Sequence, residues 1–207
     1  MLKQLKHWIL PKELNFFKSL CQQSILTAQI IDELFQFYVE QSSKNSDQVF
    51  HLIAEAKTMR LVNLKELNTA FITPVDKEAI SRVYVHLHWV ALSIKHLVTE
   101  IDAYNIHNLN SYKIMFDLLG KEMHELTAGV TMLDAKNYDQ VMQHVDQVIH
   151  LDNQLIQAYA LHLAQLFKES DMQHIFKHKE ILSQLKEISK RIHNCANHLE
   201  DIVFKMN

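Results

Sequence analysis

The sequence predicts an all-α protein: six long antiparallel helices packed as two three-helix bundles. Three observations carry this. Only two glycines and two prolines occur in 207 residues, which leaves almost nothing for tight hairpins, because type I′ and II′ turns need residues that tolerate positive φ. Apolar residues recur at steps of three and four through most of the chain, the spacing of one helix face. Short polar breaks separate these runs, and short connections make neighbouring helices antiparallel.

The first helix is expected to open at Pro11, where a missing N–H costs nothing. It carries Leu14, Phe17, Leu20, Cys21, Ile25, Ala28, Ile31, Leu34, Phe35 and Tyr38. The polar cluster over residues 42–47 ends it, and Ser46 or Asp47 caps the second. That helix bears Val49, Phe50, Ile53, Ala56, Leu61, Leu64, Leu67 and Phe71. Pro74 disfavours the α region for Thr73, so the second helix should stop around Phe71 or Ile72. In the stretch FITPVDKEAI, residues 71–80, Thr73 is then placed as the N-cap and Pro74 as the first residue of the third helix. Asp76 and Glu78 follow in its first turn, where the positive end of the helix dipole favours negative charge.

The third helix runs through Ile80, Val83, Leu87, Val90, Ala91, Ile94, Leu97, Val98 and Ile101, and NIHNLNS over residues 105–111 breaks it. The fourth carries Ile114, Leu118, Leu119, Met123, Leu126, Val130 and Leu133 up to DAKNYD at residues 134–139. The fifth carries Val141, Val145, Val148, Leu151, Leu155, Ala158, Leu161 and Leu166 up to KESD at residues 168–171. The sixth carries Ile175, Ile181, Leu182, Leu185, Ile188, Ile192, Ala196, Leu199 and Val203. The stretch LNTAFITPVDKEAI, residues 67–80, can be laid on LAQLFKESDMQHIF, residues 163–176: each closes a helix with Leu, three residues and Phe, then restarts with an acidic residue. The reading is one domain over 1–207, with pseudo-repeats over about 11–104 and 111–206.

A net charge of -3 and a pI near 6.5 argue against a nucleic-acid partner, whose binding face makes a domain basic. Cys21 and Cys195 form no CxxC pair, so they are read as small buried hydrophobes in a reducing compartment. Residues 1–10 are too short and too interrupted by Lys and His for a signal peptide. No apolar run approaches the roughly 20 residues that span a bilayer, and a cytoplasmic location is expected. The amphipathic start, with Leu2, Leu5, Trp8 and Ile9 beside Lys3, Lys6 and His7, is expected to fold over the bundle end and bury Trp8. No nucleophile elbow, phosphate-binding glycine loop or HExxH occurs. The chain is therefore read as no enzyme.

Fourteen histidines raise a metal hypothesis. His174 and His178 lie at i and i+4 with Asp171 nearby, so three ligands can converge on one turn; an exposed helix face is the plain alternative. No Glu-x-x-His occurs to build a di-metal bundle site. His86 and His88 point to different faces, with a core-edge position expected for at least one of them.

FITPVDKEAI, LFKESDMQHIFKHKEILSQL (residues 166–185) and the ending CANHLEDIVFKMN resemble the PhoU-like family, specifically the phosphate-transport regulators associated with Pit-type phosphate transporters. The resemblance implies a pair of three-helix bundles and regulation through protein contacts rather than catalysis. Its implied partner is a phosphate transporter or signalling protein at the cytoplasmic face of the inner membrane, to which the chain would be peripheral, with a homo-oligomer left open. The corner made by Thr73 and Pro74 would then present Asp76, Lys77 and Glu78 to that partner, with helix capping as their plain role. The family also holds iron or other metal clusters through Glu-x-x-x-Asp motifs. Here the corresponding positions read Ile53 and Lys57 in the first half and Asp152 and Ile156 in the second, and the acidic face near the C-terminus reads Lys186, Lys190, His193 and Asn194. Ammonium groups repel a cation, so no cofactor is expected. The alternative reading is a metal-binding helical protein that uses histidines in place of the family carboxylates.

Overall fold

The computed structural model describes residues 14–40, 47–106 and 108–206. The expectations for the segment around Trp8, for Pro11 and for Ser46 lie outside the described residues. Among the described residues the chain forms six α-helices and no strand. They are α1 (Phe16–Tyr38), α2 (Asp47–Thr69), α3 (Lys77–Tyr104), α4 (Lys113–Asp134), α5 (Tyr138–Leu166) and α6 (Met172–Met206), with a 3-10 turn, Asn110–Tyr112, leading into α4.

Helices α1, α3, α4 and α6 form a central layer in which α1 meets α3 and α4, and α6 meets α3 and α4. The two outer helices fill grooves: α2 lies on α1 and α3, and α5 on α4 and α6. Each half is thus a three-helix bundle, and the halves join through α1–α4 and α3–α6. Both joining pairs are antiparallel. Asn15 bonds Asp134 at one end of the first pair, and the Leu109 N–H reaches the Tyr38 carbonyl at the other. In the second pair Asp76 meets Lys205, while Lys177 meets the Tyr104 carbonyl.

Helix ends follow local chemistry. The Asn15 side chain accepts from Lys18 N at 3.0 Å, so α1 starts at Phe16, and Leu14 precedes the helix instead of lying in its stripe. Asn105 closes α3 in the left-handed region at φ 58°, and the Ile106 N–H returns to the Ile101 carbonyl. Asn is among the few non-glycine residues that adopt this conformation readily, which is why NIHNLNS ends the helix.

The stripes expected for α3 and α6 are buried at every position. Elsewhere single members fall outside: Ile25, Leu61, Ile114 and Leu161 are exposed, and Phe71 is not helical at all. Helix α1 also buries residues outside its expected stripe, Phe16, Leu26, Ile30, Gln23, Ser24 and Thr27, on faces turned to three neighbours. Cys195 is buried, but Cys21 is only half-buried, with its Sγ 3.4 Å from Thr131 Oγ1. Gly129 sits where α4, α5 and α6 meet; a Cβ there would lie 3.1 Å from Leu199 Cδ2 and 3.3 Å from His144 Cβ, so glycine permits the close approach.

Candidate functional site

The corner between α2 and α3 is built differently from the sequence reading. Helix α2 ends at Thr69, and Asp76, not Thr73, caps α3: its Oδ1 accepts from Ala79 N at 2.8 Å, and the first helical residue is Lys77, not Pro74. An aspartate three residues before a free N–H satisfies one of the four orphan donors of a helix start, and that bond sets the boundary later than proline alone would. Val75 and Ile80, both buried, take the N′ and N4 positions of a hydrophobic staple.

The three charged residues of the corner each have an intramolecular partner. Lys77 Nζ donates to the Asn68 carbonyl at 2.9 Å and so closes the last turn of α2. Asp76 Oδ2 meets Lys205 Nζ at 2.7 Å, which ties the corner to the end of α6. Lys205 and the Ala79 N–H hold the Asp76 carboxyl below the usual carboxylate range. Glu78 pairs with Arg82 one turn on. Within this pinned loop Phe71 is 96% exposed and Ile72 82% exposed. Large apolar side chains adjacent in sequence and this bare are uncommon on a surface that need touch nothing but water. Phe71, which the periodicity places at the end of the stripe of α2, lies beyond the helix, because α2 stops at Thr69, two residues earlier than Pro74 alone implies.

The opposite end of the molecule carries an open cavity of about 740 Å3 beside the α5–α6 connection. Tyr112, His162, Glu169, His174, Lys177 and His178 line it. The three residues singled out as metal candidates all lie here, but they do not converge on one point. Asp171 turns back to accept from the N–H groups of Gln173 and His174 at the start of α6. The rings of His174 and His178 are stacked, 4.0 Å between centroids and 26° between planes. His174 Nε2 meets Glu169 at 3.3 Å, and the Tyr112 hydroxyl lies 2.8 Å from His178 Nδ1. Burial, and then the neighbouring His174, lower the His178 pKa; burial and Glu169 push Tyr112 up to about 12. The phenol therefore keeps its proton, and it shares one hydrogen bond with His178 Nδ1 whose direction follows the imidazole tautomer. Among the described residues no group of three or more His, Cys, Asp or Glu side chains is placed to hold a metal ion.

His86 and His198 form a second contact, across α3 and α6, with Nε2 atoms 3.0 Å apart. His86 also tilts against Trp89, whose ring lies under Arg191. Burial, then the charges of His198, Arg191 and Arg82, lower His86 to about 4. His86 and His88 are both half-buried, and burial lowers the pKa of each, so both take the core-edge position expected for at least one of them.

The fold defines an all-helical bundle protein whose described helices include none long and apolar enough to cross a membrane. The chain is similar to the UPF0111 protein YkaA of Bacillus subtilis (strain 168), 26% identical over 146 residues, which are 70% of this chain and 71% of that protein. No protein-family model matches the sequence.

Proposed function

We propose that the protein is a non-enzymatic regulator of the PhoU-like kind that acts through contact with a Pit-type phosphate transporter or a signalling partner at the cytoplasmic membrane face. The paired three-helix bundles and the similarity to a UPF0111 protein support the PhoU-like part of this reading. The observation that carries the contact is the corner at residues 70–76, where Phe71 and Ile72 stand in solvent on a loop held by Lys77, Asp76 and Lys205. A loop whose two ends are tied loses less conformational freedom on docking than a free one, so apolar area there converts into affinity more readily. The charged residues serve mainly to hold the loop, and the apolar pair supplies the contact.

The test is phosphate uptake in cells that lack the gene and are complemented with the wild-type chain or with Phe71→Ser/Ile72→Ser. The variant is expected to fold normally and fail to complement. Full complementation by the double variant, or an uptake effect that survives deletion of the transporter gene, would refute the reading.

The alternative reading is a helical protein that binds a metal through histidines, with His174, His178 and Asp171 as its candidates, although among the described residues these side chains are not placed as one ligand group. Elemental analysis of protein purified without a histidine tag decides it: stoichiometric metal, lost in His174→Ala, would support this reading at the expense of the first.

A further inference from the structure

Away from both sites, a polar chain crosses the interior of the second helix triplet. Glu122 of α4 is fully buried at 0% exposure, among Leu119, Leu118 and Leu126 on its own helix face. Ser189 of α6 places its single hydroxyl 2.8 Å from Glu122 Oε1 and 2.7 Å from Asp152 Oδ1 of α5. Asp152 Oδ2 lies 2.7 Å from His193 Nδ1, and His193 is the member of the chain that reaches partly into solvent.

Counting protons decides what this arrangement is. A serine hydroxyl has one hydrogen, and two carboxylate oxygens stand within bonding distance of it. It can donate to only one of them, so the other can bond the serine oxygen only if it brings a proton of its own. Asp152 receives a second donor, the His193 ring, and Glu122 does not; Glu122 Oε2 has no partner among the described residues. The proton therefore belongs on Glu122, and the chain runs Glu122 O–H to Ser189, Ser189 O–H to Asp152, with His193 N–H also donating to Asp152. A neutral carboxyl leaves Oε2 as a carbonyl oxygen, much less costly to bury unpaired than half of a carboxylate charge.

We propose that Glu122, Ser189, Asp152 and His193 form a proton-binding site built into the second helix triplet, in which the two carboxyl groups hold one proton between them and its loss loosens the seam of α4, α5 and α6. On deprotonation the Glu122 O–H bond breaks, the electron pair stays on the carboxylate, and the proton passes to water or a buffer base. Two negative charges then share one hydroxyl in an apolar shell. Burial, opposed in part by the Ser189 bond and reinforced by the Asp152 charge, raises Glu122 to about 8. Asp152 is the charged group that acts on Glu122, and titratable groups elsewhere on the same helices have their own partners. On α4, Glu125 meets His144 of α5 and His124 meets Asp32 of α1; on α6, Lys186 lies over the Tyr159 ring and Arg191 pairs with Glu187. No lysine or arginine bonds either carboxyl group among the described residues.

The site is independent of the partner reading, and its test does not involve phosphate. The full chain is labelled with carboxyl-13C glutamate and titrated by NMR from about pH 4 to about pH 9.5, a span that covers ordinary and raised carboxyl values. One signal, missing in Glu122→Gln, is expected to titrate with a midpoint near 8, and Asp152→Asn, which removes the neighbouring charge, should lower that midpoint. Titration of every glutamate in the ordinary range, near 4.3, would overturn the proposal. So would a midpoint unmoved by Asp152→Asn, or one that shifts when EDTA is added, which would mean a cation in place of the proton. Should Glu122→Gln fail to fold, the Asp152→Asn shift still decides the matter.

Discussion

Each half of the molecule buries a polar chain among apolar side chains, and the two chains use different chemistry. In the first half Gln23 of α1 donates its Nε2 to the Tyr84 carbonyl of α3 at 2.9 Å and accepts from Asn63 Nδ2 of α2 at 3.2 Å; the Tyr84 hydroxyl then reaches the Phe16 carbonyl. Amides and a phenol bind these three helices together, and burial pushes the Tyr84 phenol further above its ordinary range. In the second half two carboxyl groups, a serine and a histidine occupy the same structural place, where α4, α5 and α6 meet. Both chains make three helices commit to one register, since a buried polar group without its partner is costly. Only the second can change its charge at a pH the cell meets. The first half is therefore a fixed scaffold, and the second is the half whose packing depends on a proton.

The largest effect should come from Glu122→Gln, which replaces the carboxylic O–H by an amide N–H that can still donate to Ser189. Glu122 has its folded pKa raised from 4.5 to about 8, so between those values the folded state keeps a proton that the unfolded state has released. The stabilisation tied to that proton is complete below 4.5 and disappears as pH rises through about 8. The variant should escape this loss and exceed the wild type at pH 9 by a few kcal/mol, an order-of-magnitude figure from about 1.4 kcal/mol per unit. Chemical unfolding at fixed pH measures it.

Breaking the first chain should look different. Gln23→Ala leaves Asn63 Nδ2 without its acceptor and removes the tie to the Tyr84 carbonyl, and is expected to cost about 1–3 kcal/mol at every pH between about 5 and 9. A cost that varied with pH would blur the contrast between the halves.

A histidine sharpens the contrast from the acid side. His86 is lowered to about 4 from 6.5, so its contribution is present above 6.5 and lost as pH falls through about 4. His86→Asn should flatten the acid limb of the stability profile and leave the alkaline limb, which belongs to Glu122, unchanged. Urea unfolding of this variant across both limbs is the check.

Asp76→Ala stands outside both chains. Loss of the α3 cap should cost about 1 kcal/mol, with little added by the exposed Lys205 pair, and thermal unfolding at two pH values should show the same deficit. The smallest effect on stability belongs to Phe71→Ser/Ile72→Ser: within about 0.5 kcal/mol of wild type by the same measurement, because both side chains already lie in water.

Much of this architecture is legible in the residues. The stripes of α3 and α6 can be read off at every position because each of these helices presents one wide apolar face to its neighbours. Periodicity fails where a residue leaves the helix, as Phe71 does, and where a helix buries polar residues outside its apolar stripe, as α1 does with Gln23, Ser24 and Thr27. It reports a face, and it is silent on how many neighbours that face will meet. The helix start at Asp76 was hidden by Pro74, a stronger signal nearby. The buried proton site had a readable trace that went unused. Glu122 lies four residues from both Leu118 and Leu126, Asp152 falls between Val148 and Leu155, and Ser189 between Leu185 and Ile192. Each interrupts an apolar stripe at a core position, and three such interruptions on three helices of one bundle could have been matched. Which of them would touch depends on the relative shift of the helices along their axes, and a one-dimensional pattern does not encode that.

The most direct measurement is the urea midpoint of the wild type and of Glu122→Gln followed from about pH 5 to about pH 9. The profiles should nearly coincide at the acid end and diverge steadily as pH rises, with the wild type falling away and the variant holding. Two profiles that run parallel throughout, or a wild type that gains on the variant as pH rises, would contradict the account of a core that keeps its packing by keeping a proton.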